Sequence, residues 1–541
     1  MSTIPQEKKN YGNRFFSGVA ILAFSTFIVK IIGLFYKIPM MTYLGAEGMG
    51  YFNSAYEIYS IFFVISTTGI PVAISILISE NATHNRIKNI KRIYKISLIL
   101  LAVIGLIGTL LMGVFHRELA HMINNASAAY SILAISPTIF MICISSAIRG
   151  YFQGHQIMLP TAVSQIIEAL GKLLLGLCFA IMAINQGCTI PEVAALAILG
   201  LSLGVGASLL YLGLYKLFHK IKYETSMQDN FQEKKSSIAK HLLAIALPIT
   251  ISSTILSLTK LIDMTMILGR LNDIGYTEAQ ANAVYGAYST MAVSIYNLPS
   301  TIISAIALPL VPLLASAIER ADKSKEREAV SISFKMTGLI ALPTGLGVAV
   351  FSKQILGLIF ASQINEIEYT APLLSILGVS VFMSAMITIT NAILHAYKEV
   401  KKPIISMIIG TVIKLALSFI LIGNRQINIY GAPISTFVST TAIVCINIYF
   451  ILKKSGKIDS IYELFGKSFL SAIFSMTAGL LIYTLFDKLV TPKVLILITI
   501  MIIALLYFIL VLFLRAVSKN DLLLLPKGEL IVKFLTKIHL I

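Results

Sequence analysis

Tryptophan is absent from the 541 residues, cysteine occurs four times, and charged residues make up only 13%. Soluble domains carry about a quarter charged residues. With 57% hydrophobic residues and a mean hydropathy of +0.85, the chain reads instead as a polytopic membrane protein. Without tryptophan, any interfacial belt must be built from Tyr and Phe. Cys143, Cys178, Cys188 and Cys445 show no CxxC or metal-ligand spacing, and three of them sit in apolar runs as small core residues. Acids are the scarcer charge, 25 Asp and Glu against 43 Lys and Arg, for a net +18. That surplus does not imply nucleic acid, because the cations lie between apolar runs, where the positive-inside rule puts them. No phosphate loop, GxSxG, HExxH or strand-borne GxGxxG occurs, and the eight histidines are scattered. No enzyme, cofactor or metal site is expected. The polar N-terminus leads into a long span without a small-residue cleavage site, so no removable signal peptide is expected.

A spanning helix needs about 20 mostly apolar residues. Fourteen are expected, near 15–38, 52–78, 93–115, 128–150, 160–184, 193–215, 241–268, 284–314, 332–352, 372–396, 404–423, 430–452, 466–486 and 494–514. With both termini cytoplasmic, the inner loops hold most of the basic residues. The outer side receives only Lys37, Arg117, Arg270, Lys353, Arg425, Lys488 and Lys493. This asymmetry sets the orientation.

An internal repeat organises the spans. Arg149 to Lys172, RGYFQGHQIMLPTAVSQIIEALGK, reads as a cation, a glycine-broken aromatic turn, Pro160, and an apolar span carrying Glu168 and Lys172. Moved by 242 residues it returns as Asn391 to Lys414, with Ser164 on Ser406 and Lys172 on Lys414. Leu44-Gly45 and Leu268-Gly269, and Pro71 and Pro309, are weaker echoes. The expectation is all-α: an N-terminal lobe over 1–215 (helices 1–6), a linker loop over 216–240 and a C-terminal lobe over 241–453 (helices 7–12). Helices 13 and 14 follow at 454–515, with a cytoplasmic interfacial tail at 516–541.

An ionisable group at mid-membrane costs at least about 2.5–3.5 kcal/mol and normally faces a cavity or a partner. Lys30, Lys172, Lys260 and Lys414 fall within spans, and Arg149 stands at the inner end of the fourth, where it also fits as an ordinary positive-inside residue. These five are the candidate substrate-binding cations. Glu57, Glu168 and Asp263 are the acids, candidates for ion coupling. Glu57 sits in YFNSAYEIYS, whose Tyr and Asn suggest an aqueous wall. Glu168 precedes Lys172 by four residues, the favourable order for an intrahelical pair. Lys260 and Asp263 share a face, whereas Lys30 and Lys414 have no acid within reach on their own spans. An excess of cation suits an anion such as pyrophosphate. Gly69, Pro71, Pro309 and Pro343 interrupt spans and are candidate hinges.

Two stretches carry a resemblance: AEGMGYFNSAYEIYSIFFVISTTGIPVAISILISE and ISPTIFMICISSAIRGYFQGHQIMLPTAVSQIIE. They resemble the polysaccharide-transporter branch of the multidrug/oligosaccharidyl-lipid/polysaccharide flippase superfamily, and within it lipid II flippases of MurJ type and stage V sporulation protein B. The resemblance implies fourteen helices in two lobes around a central cavity. It implies export of an undecaprenyl-pyrophosphate-linked peptidoglycan precursor across the cytoplasmic membrane by alternating access, driven by membrane potential or a coupled ion. Membrane lipid, the lipid-linked oligosaccharide pyrophosphate and cell-wall synthesis proteins are the implied partners. The family's helix-1 arginine is matched by Lys30, before Ile31-Ile32-Gly33. Gram-negative members of the family carry two further arginines, which fall on Tyr36 and on Tyr288-Ser289 here, so Lys172 and Lys260 are expected to supply the missing charge. Three rival readings stand beside this one. A flippase for a teichoic-acid or capsular precursor would use the same pyrophosphate handle. A cation-coupled drug antiporter is opposed by the lack of any acid between Phe16 and Ile38. A non-transporting sporulation scaffold would leave the buried cations without purpose.

Overall fold

In hydrocarbon no water is available to backbone N–H and C=O groups, so a spanning chain must close its own hydrogen bonds as helix. The computed structural model describes the chain apart from residues 1–5, 85, 220, 222–232, most of 301–321, 457–458 and 517–541. Among the described residues every regular element is helical. Twelve described segments are long and apolar enough to cross a membrane. The first, Phe24–Thr83, is 60 residues long and takes in the expected span 52–78 and the latter part of 15–38. The other eleven fall on remaining expected spans, and the span at 284–314 lies largely outside the described residues. The total of fourteen is therefore not read from the structure. The tail at 516–541 and most of the 216–240 loop also lie outside it.

The chain divides into two compact units, Met1–Gly286 and Ala287–Ile541. The first contains α1 (Gln6–Thr67), α2 (Gly69–Thr83), α3 (Ile87–Val114), the short α4 (His116–Met122) and α5 (Ala129–Ile135), and α6 (Pro137–Gly154). It continues with α7 (Leu159–Asn185), α8 (Ile190–Phe218) and α9 (Lys235–Asp273), and α10 (Glu278–Ala287) runs up to the boundary. The helix α9, expected to begin the second lobe, packs on α1 and α2 within this unit. Within α1 the backbone leaves helical geometry at Gly45, at φ 65° and ψ −177°. A side chain at that φ would be strained, so glycine is what lets two helices join there.

Glycine also sets how closely helices approach. In lipid, association depends on packing rather than on a hydrophobic drive, and small residues bring backbones together. Gly171 and Gly176 of α7 lie directly against Gly204 and Gly200 of α8. A Cβ on Gly204 would meet the Glu168 carbonyl and the Lys172 amide, both at 2.9 Å. The turn of α7 that carries the two charges is thus pressed onto the α8 backbone. Gly150 and Gly154 play the same part for α6 against Pro71, Ile74 and Ile78 of α2. This corrects the sequence reading of RGYFQG. It is the closing stretch of helix α6, and its glycines serve close packing, not an aromatic turn.

The second unit contains α11 (Lys323–Val350), α12 (Ser352–Ile359), α13 (Ile364–Ala396), α14 (Lys401–Ile422), α15 (Gly431–Ser455), α16 (Lys467–Phe486) and α17 (Pro492–Phe513). Its core gathers Phe334, Met386, Ile389, Leu394 and Ile451. The internal repeat is visible in backbone detail. The turn after α6 places Gln156 at φ 60°, and the turn after α13 places Lys398, 242 positions on, at φ 60°. The amides of Gln156 and Ile157 donate to the carbonyls of Gln153 and Phe152. Those of Lys398 and Glu399 donate to His395 and Leu394, the same shift throughout.

Two predictions follow from this packing. Gly204→Val should lower the unfolding temperature in detergent, at a cost of about 1–3 kcal/mol of overpacking. Gly213→Ala, whose Cβ meets nothing within 4 Å, should be neutral or stabilising. Outside the spans, hydrogen bonds from Lys454 and Lys402 hold the Glu399 carboxyl below its usual range, and Ser331 and Arg327 do the same for Asp459. Carboxyls depressed in the folded state contribute stability above their unfolded pKa, near about 4, and lose it as pH falls further. The unfolding temperature should therefore drop between about pH 5 and 3, and drop less in Glu399→Gln, as followed by thermal scans across that range.

Candidate functional site

Arg149 stands in the last turns of α6, which α2 holds close through the two glycines, so its side chain extends toward α7 and α8. Its Nε donates to Ser164 Oγ at 2.9 Å, and its Nη2 donates to Glu168 Oε2 at 3.0 Å and Ser208 Oγ at 3.1 Å. The arginine is only 6% exposed. A buried guanidinium is tolerated when a carboxylate and hydroxyls satisfy its planar fork, and here they do. The close ion pair that sequence reasoning offers for Glu168, with Lys172, is not the one that forms: among the described residues Glu168 pairs with Arg149, and it acts on Lys172 only through space.

Lys172 goes elsewhere. Its Nζ lies 4.7 Å from the ring centroid of Tyr56, 4.8 Å from Tyr36 and 5.5 Å from Phe52. Three rings from the two halves of α1 thus surround the ammonium, whose charge is drawn to the negative faces of the rings. Tyr36 and Phe52 are buried. The YFNSAYEIYS stretch, expected as an aqueous wall, is largely buried too, through Tyr51, Phe52, Asn53 and Tyr59. Two of its aromatic residues, Phe52 and Tyr56, face the Lys172 ammonium.

Lys37 was placed by sequence on the outer side. In the structure it is half-buried and within electrostatic reach of Glu57, Lys260 and Lys172. Glu57, with Ser60 Oγ 3.4 Å from its Oε2, acts in turn on Lys37, Lys260 and Asp263. Residues of both halves of α1, of α7 and of α9 therefore form one charged cluster. With Arg149 and Glu168 cancelling, three lysines (Lys37, Lys172, Lys260) share it with two acids (Glu57, Asp263). Lys30 lies one heptad before Lys37, on the same face of α1, and is exposed. That spacing is the sequence signal that could have found Lys37.

Lys414 belongs to the second unit, half-buried on α14. Positions 149 and 168 correspond there to Asn391 and Gly410. Asn391 Oδ1 accepts from Asn447 Nδ2 at 2.9 Å. The second repeat thus keeps the lysine and has neither member of the ion pair.

Of the hinge candidates, Gly69 begins α2 after an interruption at Thr68, and its Cα lies tight against Ala246 and Thr250 of α9. Pro71 lies in the first turn of α2. Pro343 sits inside α11, which is helical throughout. Pro309 lies outside the described residues.

Breaking a buried pair leaves an uncompensated charge, at a cost of about 3–5 kcal/mol, whereas replacing both partners by apolar groups is often neutral. Arg149→Ala should therefore lower stability by about that amount. The double variant Arg149→Met/Glu168→Leu should recover most of it, as read by thermal unfolding in detergent.

Comparison with known proteins agrees with this architecture. The family model described as "Polysaccharide biosynthesis protein" matches residues 15–318, and the MatE model matches 248–420. Stage V sporulation protein B of Bacillus subtilis (strain 168) is 27% identical over 433 residues, 78% of this chain and 80% of the relative. Lipid II flippase MurJ of the same organism is 24% identical over 453 residues, 81% and 82% of the two chains. The solved structure titled "Lipid II flippase MurJ, inward closed conformation" superposes with a TM-score of 0.67 at 17% identity, covering 92% of this chain and 99% of that one. The chain is a multi-pass membrane transporter, not an enzyme. Since the family model spans more than half its length, this chain belongs to the polysaccharide biosynthesis protein family, whose superfamily resemblance its motifs already carried.

Proposed function

We propose that the chain is a flippase that exports an undecaprenyl-pyrophosphate-linked cell-wall precursor, with lipid II as its cargo, across the cytoplasmic membrane by alternating access. The observation that carries this reading is the cluster of Lys37, Lys172 and Lys260 on helices of the first unit that are long and apolar enough to cross a membrane. Cations are expensive there, and a pyrophosphate accepts charge-assisted hydrogen bonds from several ammonium groups at once. The 24% identical relative named lipid II flippase MurJ supports the cargo. Both termini face the cytoplasm in this reading, in keeping with the basic bias of the loops. A negative-inside potential then favours outward movement of an anionic headgroup by about 2.3 kcal/mol per charge per 100 mV. Lys30 is assigned to the same anion path, and Lys414 is the candidate anion-binding cation of the second unit.

The 27% likeness to stage V sporulation protein B favours one second reading, a related lipid-linked cargo used in sporulation. Complementation of a strain depleted of its lipid II flippase, paired with a surface-accessibility assay for lipid II, separates the two. Rescue with outward lipid II is the expected result. Failure despite good membrane expression would reassign the cargo to a sporulation, teichoic-acid or capsular precursor. In the rescued strain, Lys37→Ala, Lys172→Ala and Lys260→Ala should each reduce export about tenfold or more, the worth of one hydrogen bond to a charged group. Unchanged export in all three would refute the assignment of the cluster.

A further inference from the structure

We infer that Arg149 is a positioning residue for Lys172: by holding the Glu168 carboxylate, it keeps the ammonium one turn further along α7 available to an anionic ligand. This rests on the proposed anion-binding role of Lys172 and adds the device that keeps the lysine competent.

Glu168 has two cations it could take. Lys172 follows it by four residues on the same helix face, in the order that favours pairing. Arg149 reaches it from α6, at 3.0 Å. A bidentate-capable guanidinium, already anchored on Ser164 and Ser208, gives up less freedom in forming the bond than a flexible lysine does. Arg149 therefore takes the carboxylate, and Lys172 is left on the rings of Tyr36, Phe52 and Tyr56. An aromatic cage holds an ammonium less firmly than a carboxylate at close range would. It also adds no negative charge to repel an incoming phosphate. A lysine paired with Glu168 would instead present a neutral couple.

The chain's own second repeat is an independent control. There Asn391 and Gly410 replace Arg149 and Glu168 together, while the lysine persists as Lys414. Where the acid is missing, the arginine that would contain it is missing as well.

The test uses the full-length protein purified in detergent, undecaprenyl pyrophosphate as the probe, and peptide mass spectrometry to follow acylation of Lys172 by an amine-reactive reagent. In Arg149→Gln, Glu168 turns to Lys172, so probe binding should weaken about tenfold or more, toward that of Lys172→Ala, and acylation of Lys172 should slow. Arg149→Gln/Glu168→Gln removes the competing charge and keeps hydrogen-bonding groups of similar shape. It should bring binding and acylation back to within about threefold of the starting protein, and Arg149→Lys should retain part of both. Unfolding temperatures verify that each variant is folded. If Arg149→Gln fails to fold, the double variant and Arg149→Lys still decide the matter. Wild-type binding in Arg149→Gln, or a folded double variant that remains as weak as Lys172→Ala, would overturn the inference. Unchanged binding in Lys172→Ala would instead overturn the anion-binding role of the lysine, while the acylation rates would still decide whether Arg149 holds Glu168 away from it.

Discussion

A charge inside hydrocarbon must find a counter-charge, a dipole or a ring, and this constraint shapes the first unit. Arg149, Glu168 and Lys172 stand within one small region contributed by α6 and α7. Three charges cannot pair completely, so one is left over. The guanidinium takes the carboxylate with two serine hydroxyls in support, and the ammonium is left to three aromatic rings. Removing either member of the ion pair would change the partner available to the other charges.

That arrangement depends on helices coming closer than ordinary side chains allow. Glycines at 171, 176, 200 and 204 bring α7 onto α8, and Gly150 and Gly154 bring α6 onto α2. The first contact sets the Glu168–Lys172 turn against the α8 backbone, and the second fixes the direction in which Arg149 leaves its helix. Close packing of small residues is the main source of cohesion between helices in lipid, where apolar surface gains nothing by leaving a solvent that is itself apolar. The same glycines thus hold the bundle together and orient its charges.

The relation to family relatives is clearer with the geometry in hand. The resemblance places an arginine of Gram-negative members on Tyr36, which looks from sequence like a loss of charge. The structure shows that the ring of Tyr36 carries a cation brought from α7, so positive charge is still present beside that position on a different backbone. Lys37, the next residue, adds a second. Charge at a transporter site is set by what several helices deliver to one place, and substitution along a single helix is a poor measure of it.

Composition and apolar runs were enough to show an all-helical membrane protein, the position of most spans and the internal repeat, because the cost of an open backbone in lipid leaves few alternatives. The repeat was legible down to Lys172 and Lys414, and the structure adds that the turns preceding their helices share the same hydrogen bonds. Lys30, Lys172, Lys260, Glu57 and Asp263 were likewise visible as charges in the wrong solvent. Which charge meets which was not. Spacing along a helix favoured Glu168 with Lys172, since a sequence shows only neighbours three and four residues away. Arg149, Tyr36 and Tyr56 lie on other helices, or on another part of the chain, and only tertiary packing brings them within range of those two groups. Sequence determined where charge enters the membrane; the close approach of helices through glycine decided how that charge is paired.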